Sequence, residues 1–462
     1  MASKKLFGTD GVRGIANINL TADLALKLGM AAAHVLAVPG KPLRVLIGRD
    51  PRISGTMLES ALAAGLCAMG ARVELVGVAP TPAVAYLVTH GPYDIGAVIS
   101  ASHNPADDNG IKFFGHNGRK LPDTIETKIE SAIEHLSTLE LPKGAGVGTT
   151  EQHLDPLGQY HDFLCSLLPK SLGGMKIVVD AANGAASDIA PRVLNDLGAE
   201  VICNACCPDG ININFNCGST HPNDMLNETL KQGAAVGVAF DGDADRAILS
   251  DENGMRVDGD RVMALWSLNE MRQGRLHPAV TVGTVMTNLG MEKLLKDNGI
   301  ELVRTPVGDR YVSEAMSKHK SLIGGEQSGH LIFSKLSTTG DGLITLLEVL
   351  KVMQETGKPL SELAHCYKPW PQRLVNMHVK SNKGWNENKV IVQAIANAEA
   401  LLIETGRVSV RPSGTEPLLR VMVEAECMNL LEIALAGIVD AVKQQLEGHI
   451  HSVTELSDAV SN

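Results

Sequence analysis

The stretch Ala235-Val-Gly-Val-Ala-Phe-Asp-Gly-Asp-Ala-Asp-Arg246 joins a short apolar run to an acidic loop. A continuous apolar run of this length, bounded by turn residues, is typical of a strand buried on both faces of a sheet. In α/β sheets, ligands bind beyond the carboxyl ends of the strands, and the three aspartates lie at such an end. The stretch therefore predicts an α/β fold with a functional site at this strand end.

Similar apolar runs alternate with longer Ala- and Leu-rich segments of helical period, which is the pattern of α/β units with mainly parallel strands. The alternation restarts near Leu172 and near Asp258, so we expect three similar α/β domains. After Lys368-Pro-Trp-Pro371 the pattern becomes that of a smaller α+β domain. We expect a helix at Pro191–Leu197 and a frayed polar tail at Gly448–Asn462. The expected domain boundaries are 1–156, 157–257, 258–368 and 369–462.

Composition limits the classes of partner. The formal net charge of -11 disfavours nucleic acid, because phosphate backbones are bound by broad basic surfaces. A few Arg and Lys side chains can still form a local pocket for an anionic metabolite. No signal peptide and no apolar segment of about 20 residues is present in the sequence, so we expect no membrane partner. Eight cysteines in a chain of 462 residues favour a reduced, cytoplasmic protein over a disulfide scaffold.

The acidic loop predicts a metal site. Asp241, Asp243 and Asp245 would repel one another unless a cation lay between them. Carboxylate oxygens suit Mg²⁺, which also takes phosphate oxygens as ligands. The alternatives are a solvated acidic turn and an EF-hand. The EF-hand requires glycine at its sixth loop position, which is Arg246 here, and flanking helices in place of a strand.

Ser102 lies in a second loop at a strand end, Ser100-Ala-Ser-His-Asn-Pro105, where Asn-Pro favours a tight turn. A lone serine in a turn usually bonds only its own backbone. The loop lacks the glycines of a hydrolase nucleophile elbow, and His103 is not required as a base because neighbouring side chains point apart. With a cation nearby, Ser102 could still accept a phosphoryl group.

Two further loops contain polar groups suited to an anion or a sugar. In Arg411-Pro-Ser-Gly-Thr-Glu-Pro417, Ser413 and Thr415 offer hydroxyls, Gly414 permits close approach, and Arg411 and Arg420 can bind an oxyanion. An ordinary Pro/Gly turn is the alternative. In Gly324-Gly-Glu-Gln-Ser-Gly-His330, the residues Glu326, Ser328 and His330 suit sugar hydroxyls and a proton transfer.

Other residues remain open or are set aside. Arg13 and Lys112 could equally be a solvated arm and a surface lysine. No Gly-x-x-x-x-Gly-Lys-Ser/Thr is present, which disfavours a P-loop nucleotide site. Four cysteines cluster within 15 residues, but their spacing is not that of two CxxC zinc knuckles. They are Cys203, Cys206, Cys207 and Cys217.

With these loops in this order, the chain resembles the α-D-phosphohexomutase superfamily from about Leu6 to about Glu424. The serine loop and the three aspartates identify the superfamily. The amino-terminal Phe7-Gly-Thr-Asp-Gly11 and Glu326-Gln-Ser-Gly-His330 favour its bacterial glucosamine branch over its mannose and glucose branches. The stretches that support the resemblance are Phe7-Gly-Thr-Asp-Gly-Val-Arg13, Ile99-Ser-Ala-Ser-His-Asn-Pro105, Asp108-Asn-Gly-Ile-Lys-Phe-Phe114, Pro208-Asp-Gly-Ile-Asn-Ile-Asn214 and Val307-Gly-Asp-Arg-Tyr-Val312.

The resemblance implies four domains around a central cleft, namely three similar α/β mixed-sheet domains and a smaller C-terminal α+β domain. It implies interconversion of glucosamine 6-phosphate and glucosamine 1-phosphate through a phosphoserine and a hexosamine 1,6-bisphosphate, in amino sugar and peptidoglycan precursor metabolism. Mg²⁺ would be held by Ser102, Asp241, Asp243 and Asp245. The remaining roles would be sugar binding by Glu326 and Ser328, phosphate binding by Arg411, Ser413, Gly414, Thr415 and Arg420, and catalysis by Arg13, Lys112, Arg246 and His330.

One residue departs from the pattern of the superfamily. The metal loop commonly has a second glycine where this chain has Ala244, and alanine adds strain if the position requires a positive φ. Three alternatives remain, which are the same reaction on glucose or mannose phosphates, a sugar-phosphate-binding regulator without catalysis, and a metal-dependent phosphatase. The oligomeric state also stays open, with a homodimer as one option.

Overall fold

The computed structural model describes residues 6–8, 10–38, 40–413 and 417–455. The chain divides into two compact units. The first consists of Met1–Val285 and Val303–Ala364, and the second of Met286–Leu302 and His365–Asn462. No helix in the described part of the chain has both the length and the apolar character that crossing a membrane requires.

The first sheet has six strands. Its elements are β1 (Val12–Ile15), α1 (Ala22–Leu36), β2 (Arg44–Arg49), α2 (Gly55–Ala68), β3 (Arg72–Val78), α3 (Thr81–His90), β4 (Ile95–Ile99), β5 (Asp108–Gly115), α4 (Asp123–Ile133) and β6 (Thr149–Gln152). The strand order is β1-β5-β4-β2-β3-β6. β2, β3, β4 and β6 are parallel, whereas β5 is antiparallel to both of its neighbours.

The second sheet has five strands in the order β11-β10-β9-β7-β8. β7 is parallel to β8 and β9, and β10 is antiparallel to β9. All five residues of β9 are buried, as the continuous apolar run predicts. The elements are α5 (Gly158–Ser166), β7 (Lys176–Asp180), α6 (Ala186–Asp196), β8 (Glu200–Asn204), α7 (Asn223–Gln232), β9 (Val236–Phe240), β10 (Ala247–Ser250) and β11 (Arg256–Val257).

The third sheet has four strands in the order β13-β12-β14-β15. β12 and β14 are parallel, and β15 is antiparallel to β14. Its elements are α8 (Gly259–Arg272), β12 (Val280–Thr284), α9 (Leu289–Asp297), β13 (Glu301–Thr305), α10 (Asp309–His319), β14 (Ile323–Gly325), β15 (Leu331–Phe333), α11 (Gly342–Thr356) and α12 (Leu360–Ala364). α9 belongs to the second unit.

The fourth sheet lies in the second unit and is antiparallel throughout, in the order β17-β18-β16-β19. Two helices follow its first and third strands along the chain. The elements are β16 (Gln372–His378), α13 (Lys389–Leu401), β17 (Gly406–Pro412), β18 (Leu418–Ala425), α14 (Met428–Leu446) and β19 (His449–Glu455).

The predicted fold class of three mixed α/β sheets and a smaller α+β sheet is confirmed. The sequence analysis predicted mainly parallel strands, but each of the first three sheets also contains an antiparallel hairpin. In each, a strand with a parallel neighbour is followed directly by an antiparallel strand. These hairpin turns contain the serine loop (residues 100–107), the acidic loop (residues 241–246) and the glutamate loop (residues 326–330). β17 and β18 form an antiparallel pair, and the name arginine hairpin refers to residues 411–413 and 417–420 of this pair.

Two predictions for single elements are wrong. The helix expected from Pro191 begins five residues earlier, at Ala186, and encloses the proline. The expected frayed tail contains β19, whose residues His449–Glu455 pair with β16. β19 is mostly exposed, so its sequence lacks the apolar alternation that marks a strand with a buried face. Residues 456–462 of that tail lie outside the described residues.

Candidate active site

Ser102 and the acidic loop meet in the first unit. The Ser102 hydroxyl donates a hydrogen bond of 2.5 Å to Asp241 Oδ2, although 139 positions separate the two residues. Ser102 is only 2% exposed and has φ = +52°, a conformation that costs a non-glycine residue energy. Such strain persists only where the surrounding structure fixes the backbone, so the contacts behind the serine loop decide the position of this hydroxyl.

Arg52 fixes the backbone of the serine loop from behind. Its side chain is fully buried, and its Nε donates to Asp50 Oδ2 at 2.9 Å. Asp50 also accepts the Ser100 hydroxyl at 2.6 Å, and Ser100 Oγ accepts the Ser102 amide at 2.9 Å. The two Nη atoms of Arg52 donate to backbone carbonyls, which are those of Ser102, Asn104, Pro105 and Asp108.

Asn214, in the loop between β8 and α7, reinforces this arrangement. Its Nδ2 donates to the carbonyl oxygens of Ser102 at 2.9 Å and Asn104 at 3.0 Å. Neither Arg52 nor Asn214 was predicted as a site residue. The available signal was position, because Asp50-Pro-Arg52 directly follows the carboxyl end of β2, the same place in the sheet as the loops that were selected.

His103 lies closer to Ser102 than expected. Its Nδ1 is 3.3 Å from Ser102 Oγ, so the expectation that these neighbouring side chains point apart is wrong. Burial, together with the cations of Arg246 and Arg13, lowers the pKa of His103 to about 4, although Asp245 and Asp243 act to raise it. The ring is therefore neutral at pH 7, and because the Ser102 hydroxyl donates its proton to Asp241, His103 can bond Ser102 Oγ only as the donor, in the tautomer with a proton on Nδ1.

The acidic loop fits a cation. One carboxylate oxygen from each of Asp241, Asp243 and Asp245 lies within 4.8 Å of the others, and all three side chains are buried. Asp243 Oδ1 has no hydrogen-bond partner among the residues that the structure describes. Burial and the other two carboxylates raise the pKa of Asp241 well above its usual range. A hard cation would relieve this repulsion and give the unpaired oxygen a partner, as the sequence predicts.

Asp243 is held by groups on the side away from that oxygen. Thr81 Oγ1 donates to Asp243 Oδ2 at 2.7 Å, and the Thr81 amide donates to the Asp243 carbonyl at 2.9 Å. Lys112 Nζ lies 3.2 Å from the same Oδ2. These contacts leave Oδ1 as the oxygen that a cation can use. Thr81, at the start of α3, was not predicted as a site residue.

Ala244 occupies a left-handed conformation with φ = +58°. Its amide donates to the Asp241 carbonyl at 3.0 Å, and its carbonyl accepts the amide of Gly342 at 3.0 Å. The departure from glycine at this position therefore introduces backbone strain of about 1 kcal/mol, while the loop keeps its hydrogen bonds.

A cavity of about 730 Å³ opens beside these loops within the first unit. This volume lies in the usual range for a small-molecule site. Arg246 faces it with Nε lacking a hydrogen-bond partner within the described part of the chain. Six residues selected from the sequence line the cavity, namely Arg13, Ser102, Asp245, Arg246, Glu326 and His330.

Lys112 belongs to a buried chain of alternating charges. It lies 3.1 Å from Asp10 and 3.2 Å from Asp243, and Lys120 joins Asp10 to Asp309 at 2.5 and 2.7 Å. Burial favours the neutral amine, but Asp10 and Asp243 outweigh it and raise the pKa of Lys112. Lys112 therefore stays charged at neutral pH and contributes a fixed positive charge beside the acidic loop.

The glutamate loop contributes three of the predicted residues. Glu326 Oε1 accepts the Gly308 amide at 2.8 Å, and Ser328 Oγ is buried without a hydrogen-bond partner among the described residues. His330 Nδ1 lies 3.4 Å from Asp245, and its Nε2 accepts the Gly340 amide at 3.2 Å. Both ring nitrogens of His330 are thus engaged within the protein, an arrangement that orients Asp245.

The arginine hairpin lies in the second unit. Arg411 and Arg420 are directly opposite each other on β17 and β18. Burial lowers the pKa of Arg411, and the charge of Arg420 lowers it further. Two like charges this close attract an anion, so phosphate binding here stays a prediction. Ser413 is buried, with its amide bonded to the Leu418 carbonyl at 2.8 Å, whereas Gly414 and Thr415 lie outside the described residues.

Family models match along the chain in the predicted order. The phosphoglucomutase/phosphomannomutase alpha/beta/alpha domains I, II and III match residues 4–140, 151–254 and 258–370, and the C-terminal domain matches residues 374–430. Among solved structures, a phosphoglucomutase/phosphomannomutase family protein from Burkholderia thailandensis is 26% identical with a TM-score of 0.80, covering 96% of this chain and 98% of its own. An N-acetylphosphoglucosamine mutase from Aspergillus fumigatus, 18% identical with a TM-score of 0.60 over 96% of each chain, shares the fold.

Curated relatives narrow the family. A phosphoglucosamine mutase from Desulforamulus reducens is 51% identical over 95% of this chain and 98% of its own length. Phosphoglucosamine mutases from a Thermoanaerobacter species and from Ligilactobacillus salivarius are each 49% identical over 96% of this chain and 99% of their own length. The resemblance predicted from the loops is confirmed. The chain belongs to the phosphoglucosamine mutase family of the α-D-phosphohexomutase superfamily.

Proposed function

We propose that this chain interconverts glucosamine 6-phosphate and glucosamine 1-phosphate, with Ser102 as the phosphoryl carrier. The main support is the 2.5 Å contact between Ser102 Oγ and Asp241 Oδ2, which places the Ser102 hydroxyl beside three clustered carboxylates. A serine at this position can be phosphorylated if the charge of the phosphoryl group is offset locally. The proposed substrate follows from the relatives at about 50% identity, which are named phosphoglucosamine mutases.

The proposed reaction has two phosphoryl transfers. In the first, the bond between the phosphoryl group and Ser102 Oγ breaks as a bond forms to the free sugar hydroxyl, which loses its proton. The product is a hexosamine 1,6-bisphosphate. After this intermediate turns end for end, Ser102 Oγ accepts the other phosphoryl group. Lys112 and His330 stay the predicted residues for the proton transfers.

Mg²⁺ would be held by Ser102, Asp241, Asp243 and Asp245, because these residues present the hard oxygen atoms it prefers. When bound, it would offset negative charge on the transferring group. Arg246 adds a positive charge from the wall of the cavity, and Arg13 lines the same cavity. Electrostatic stabilisation of this kind is the main contribution a protein makes to phosphoryl transfer.

Glu326 and Ser328 would bind sugar hydroxyls, and the unpaired Ser328 hydroxyl supports this role. The second phosphate of the substrate would be bound by Arg411, Ser413, Gly414, Thr415 and Arg420. A site that recognises phosphate without a particular sugar carbon can serve both orientations of the bisphosphate. This property separates a mutase from a simple phosphotransferase.

We also propose a domain division, a cellular compartment and an oligomeric state for this chain. The four domains predicted at 1–156, 157–257, 258–368 and 369–462 each contain one of the four sheets, which supports the division. We expect the reaction in the cytoplasm, because the eight cysteines are unpaired and a reducing compartment preserves them. A homodimer stays a prediction, which light scattering of the purified protein would test.

Phosphorylation of Ser102 is the central test. Peptide mapping by mass spectrometry should find phosphate on Ser102 in the active protein. Ser102→Ala should reduce turnover by at least about 10³-fold, because the carrier oxygen is lost. Ser60→Ala, a serine on the exposed face of α2, should retain full activity and serves as the control. Turnover by Ser102→Ala at the wild-type rate would exclude the mechanism.

The metal is tested by direct binding. Asp243→Asn should weaken Mg²⁺ binding in titration calorimetry by about 100-fold, since one charged ligand is lost. Asp188→Asn removes a carboxylate that is 83% exposed and should leave binding unchanged. Full activity in excess chelator would contradict the metal assignment.

The same chemistry on glucose or mannose phosphates is the nearest alternative. Coupled assays with the three sugar 6-phosphates at equal concentration should give the highest kcat/KM for glucosamine 6-phosphate. Release of inorganic phosphate in place of the isomeric sugar phosphate would identify a phosphatase. Saturable binding without turnover would identify a regulator.

A further inference from the structure

Thr81 lies between two prolines at the start of α3. The segment Pro80-Thr-Pro82 follows the carboxyl end of β3, and Thr81 is the first residue of the helix. A proline on each side restricts the backbone, because each ring locks its own φ. The first amides of a helix have no partner within the helix. The local sequence therefore fixes the backbone at Thr81 and leaves its amide available to another element.

Thr81 makes two hydrogen bonds to Asp243 of the acidic loop. Its Oγ1 donates to Asp243 Oδ2 at 2.7 Å, and its amide donates to the Asp243 carbonyl at 2.9 Å. Thr81 is 2% exposed and Asp243 is fully buried. A threonine side chain has few rotamers, because two heavy atoms are attached to its Cβ. One residue thus fixes both the backbone and the carboxylate of Asp243.

The two carboxylate oxygens of Asp243 differ in the donors they face. A carboxylate offers about four acceptor sites, which is roughly two on each oxygen. Oδ2 accepts from Thr81 Oγ1 at 2.7 Å and from Lys112 Nζ at 3.2 Å, so both of its sites are used. Oδ1 is buried and has no hydrogen-bond partner among the residues that the structure describes. A cation can therefore bind Asp243 through one oxygen only.

The first carboxylate of the acidic loop is restrained as well. Asp241 Oδ1 accepts the amide of Arg246 at 3.2 Å, and Asp241 Oδ2 accepts the Ser102 hydroxyl. Ca²⁺ takes roughly six to eight oxygen ligands and often binds a carboxylate through both oxygens, whereas Mg²⁺ requires near-ideal octahedral geometry. Carboxylates with few free acceptor sites therefore favour the smaller cation.

We propose that Thr81 is a positioning residue that gives the acidic loop its preference for Mg²⁺ over Ca²⁺, by keeping Asp243 Oδ2 engaged within the protein. The inference rests on the proposed function, which places a cation at this loop. It goes further, because Thr81 decides which cation is bound without contacting the cation. Loss of its hydroxyl would free an acceptor site on Oδ2 and let Asp243 bind a larger cation through both oxygens.

Two substitutions separate this role from a structural one. Valine has nearly the shape of threonine and lacks the hydroxyl, so Thr81→Val removes the hydrogen bond to Oδ2 and keeps the packing. Serine lacks the methyl group and keeps the hydroxyl, so Thr81→Ser retains the hydrogen bond. A residue that only supports the fold would affect both cations alike, whereas a positioning residue changes their ratio.

The experiment is titration calorimetry of the full-length protein with MgCl₂ and with CaCl₂, at a Ser102 phosphorylation state matched by intact mass. In Thr81→Val, the Mg²⁺ dissociation constant should rise about tenfold, the low end of the effect of losing an outer contact of a metal site. The Ca²⁺ constant should stay within about twofold, because the freed oxygen is one that Ca²⁺ accepts. Thr81→Ser should keep both wild-type constants.

Thr89→Val is the matched control at the other end of α3. The Thr89 hydroxyl bonds the Tyr86 carbonyl at 2.8 Å, away from the acidic loop, so both constants should stay at the wild-type values. If thermal unfolding shows that Thr81→Val is not folded, Thr81→Ala also lacks the hydroxyl and should show the same loss of preference.

The outcomes distinguish this role from the proposed function. A wild-type protein that binds Mg²⁺, with an equal loss of both cations or an unchanged preference in Thr81→Val, would overturn the role of Thr81 and leave the proposed function intact. A loss of preference in Thr81→Ser equal to that in Thr81→Val would also overturn it, because the hydroxyl is retained. A wild-type protein that binds no Mg²⁺ would contradict the proposed metal site, and the role of Thr81 with it.

Discussion

The serine loop and the arginine hairpin differ in how their charges are balanced. In the serine loop, the buried guanidinium of Arg52 has Asp50 and four carbonyl oxygens as partners. In the arginine hairpin, Arg411 is opposite Arg420, a pair of like charges that destabilises a sheet. Arg420 Nε is buried and has no hydrogen-bond partner among the described residues.

The difference follows from what each region must bind. A loop that holds a covalent phosphoryl carrier needs its geometry fixed before the substrate arrives, and the serine loop is complete without a ligand. A site for a mobile anion can leave its positive charges unbalanced, because the anion supplies the missing partner. In these two regions, the charged group without a hydrogen-bond partner lies where an anion would bind. The charged groups that have all their partners form the support of the serine loop.

Removing Arg52 should have the largest effect. Arg52→Met leaves Asp50 as an unpaired buried charge, so the free energy of unfolding should fall by about 3–5 kcal/mol. Urea denaturation of the variant and wild type measures this change. The double variant Asp50→Asn, Arg52→Met should recover part of the loss. Arg72→Met, at the exposed start of β3, is the control. A loss below about 1 kcal/mol would contradict the fixed serine loop.

Asp180 gives a pH test of the support behind Asn214, because the carbonyl of Ala182 accepts the Asn214 amide at 2.9 Å. It accepts the amides of Ala182 and Gly218, and burial raises its pKa to about 6 from 3.8. The folded state therefore holds this proton more tightly than the unfolded state, so the contribution to stability is present below pH 4 and is lost as the pH rises through 6. A rise of the Asp180 pKa from 3.8 to about 6 corresponds to about 3 kcal/mol at most.

Unfolding free energies at pH 4.5 and 7.5 measure this contribution. Asp180→Asn should show a smaller decrease between the two pH values than the wild type, because its amide does not titrate. Asp188→Asn, whose carboxylate is largely exposed, should keep the wild-type difference. Identical pH profiles for Asp180→Asn and wild type would show that Asp180 titrates normally in the folded protein.

The arginine hairpin should respond with opposite signs in stability and affinity. Arg420→Met removes the like-charge pair, so the free energy of unfolding should rise by about 0.2–1 kcal/mol. The KM for sugar phosphate should rise by about tenfold or more, since a charged hydrogen bond to the anion is lost. Arg407→Met in the same sheet is the contrast, because Arg407 pairs with buried Glu424 at 2.6 Å. Arg407→Met should be less stable than the wild type. A loss of stability in Arg420→Met as well would contradict the difference in charge balance between the two regions.

Ala244→Gly should have the smallest effect. Glycine relieves the strain at φ = +58°, so the free energy of unfolding should rise by up to about 1 kcal/mol. Ala247→Gly, in the first position of β10, is the matched control and should lower it. Thermal unfolding of both variants checks the sign, and a less stable Ala244→Gly would show that the buried methyl group outweighs the strain.

The sequence was sufficient to predict the residues that lie together in the chain. Asp241, Asp243 and Asp245 form one contiguous loop after a buried strand, and Ser102 follows another such strand, so the strand-end rule selected both. The α/β fold class was predictable because the parallel strands are continuous apolar runs that alternate with segments of helical period. β5 lacks this signal at its start, because its first residues, Asp108-Asn-Gly110, have the composition of a turn.

The supporting residues could not be predicted in the same way. Thr81 reaches Asp243 across 162 positions, and Arg52 reaches the serine loop across 50 or more. Such contacts depend on which strands are neighbours in a sheet, and the order β4-β2 or β9-β7 is not encoded in any local pattern. The isolated Asn214 gives no periodic signal at all, although it bonds two carbonyls of the serine loop.

The hydrogen bonds of Arg52 have a consequence for how the serine loop tolerates change. Each of its acceptors in the loop is a main-chain oxygen, and those oxygens are present whatever side chain a position bears. The loop could therefore exchange residues such as exposed Pro105 without losing its support, provided that the backbone path is kept. A transplant of this loop into another scaffold would therefore have to include Asp50, Arg52 and Ser100, whose hydroxyl joins Asp50 to the Ser102 amide.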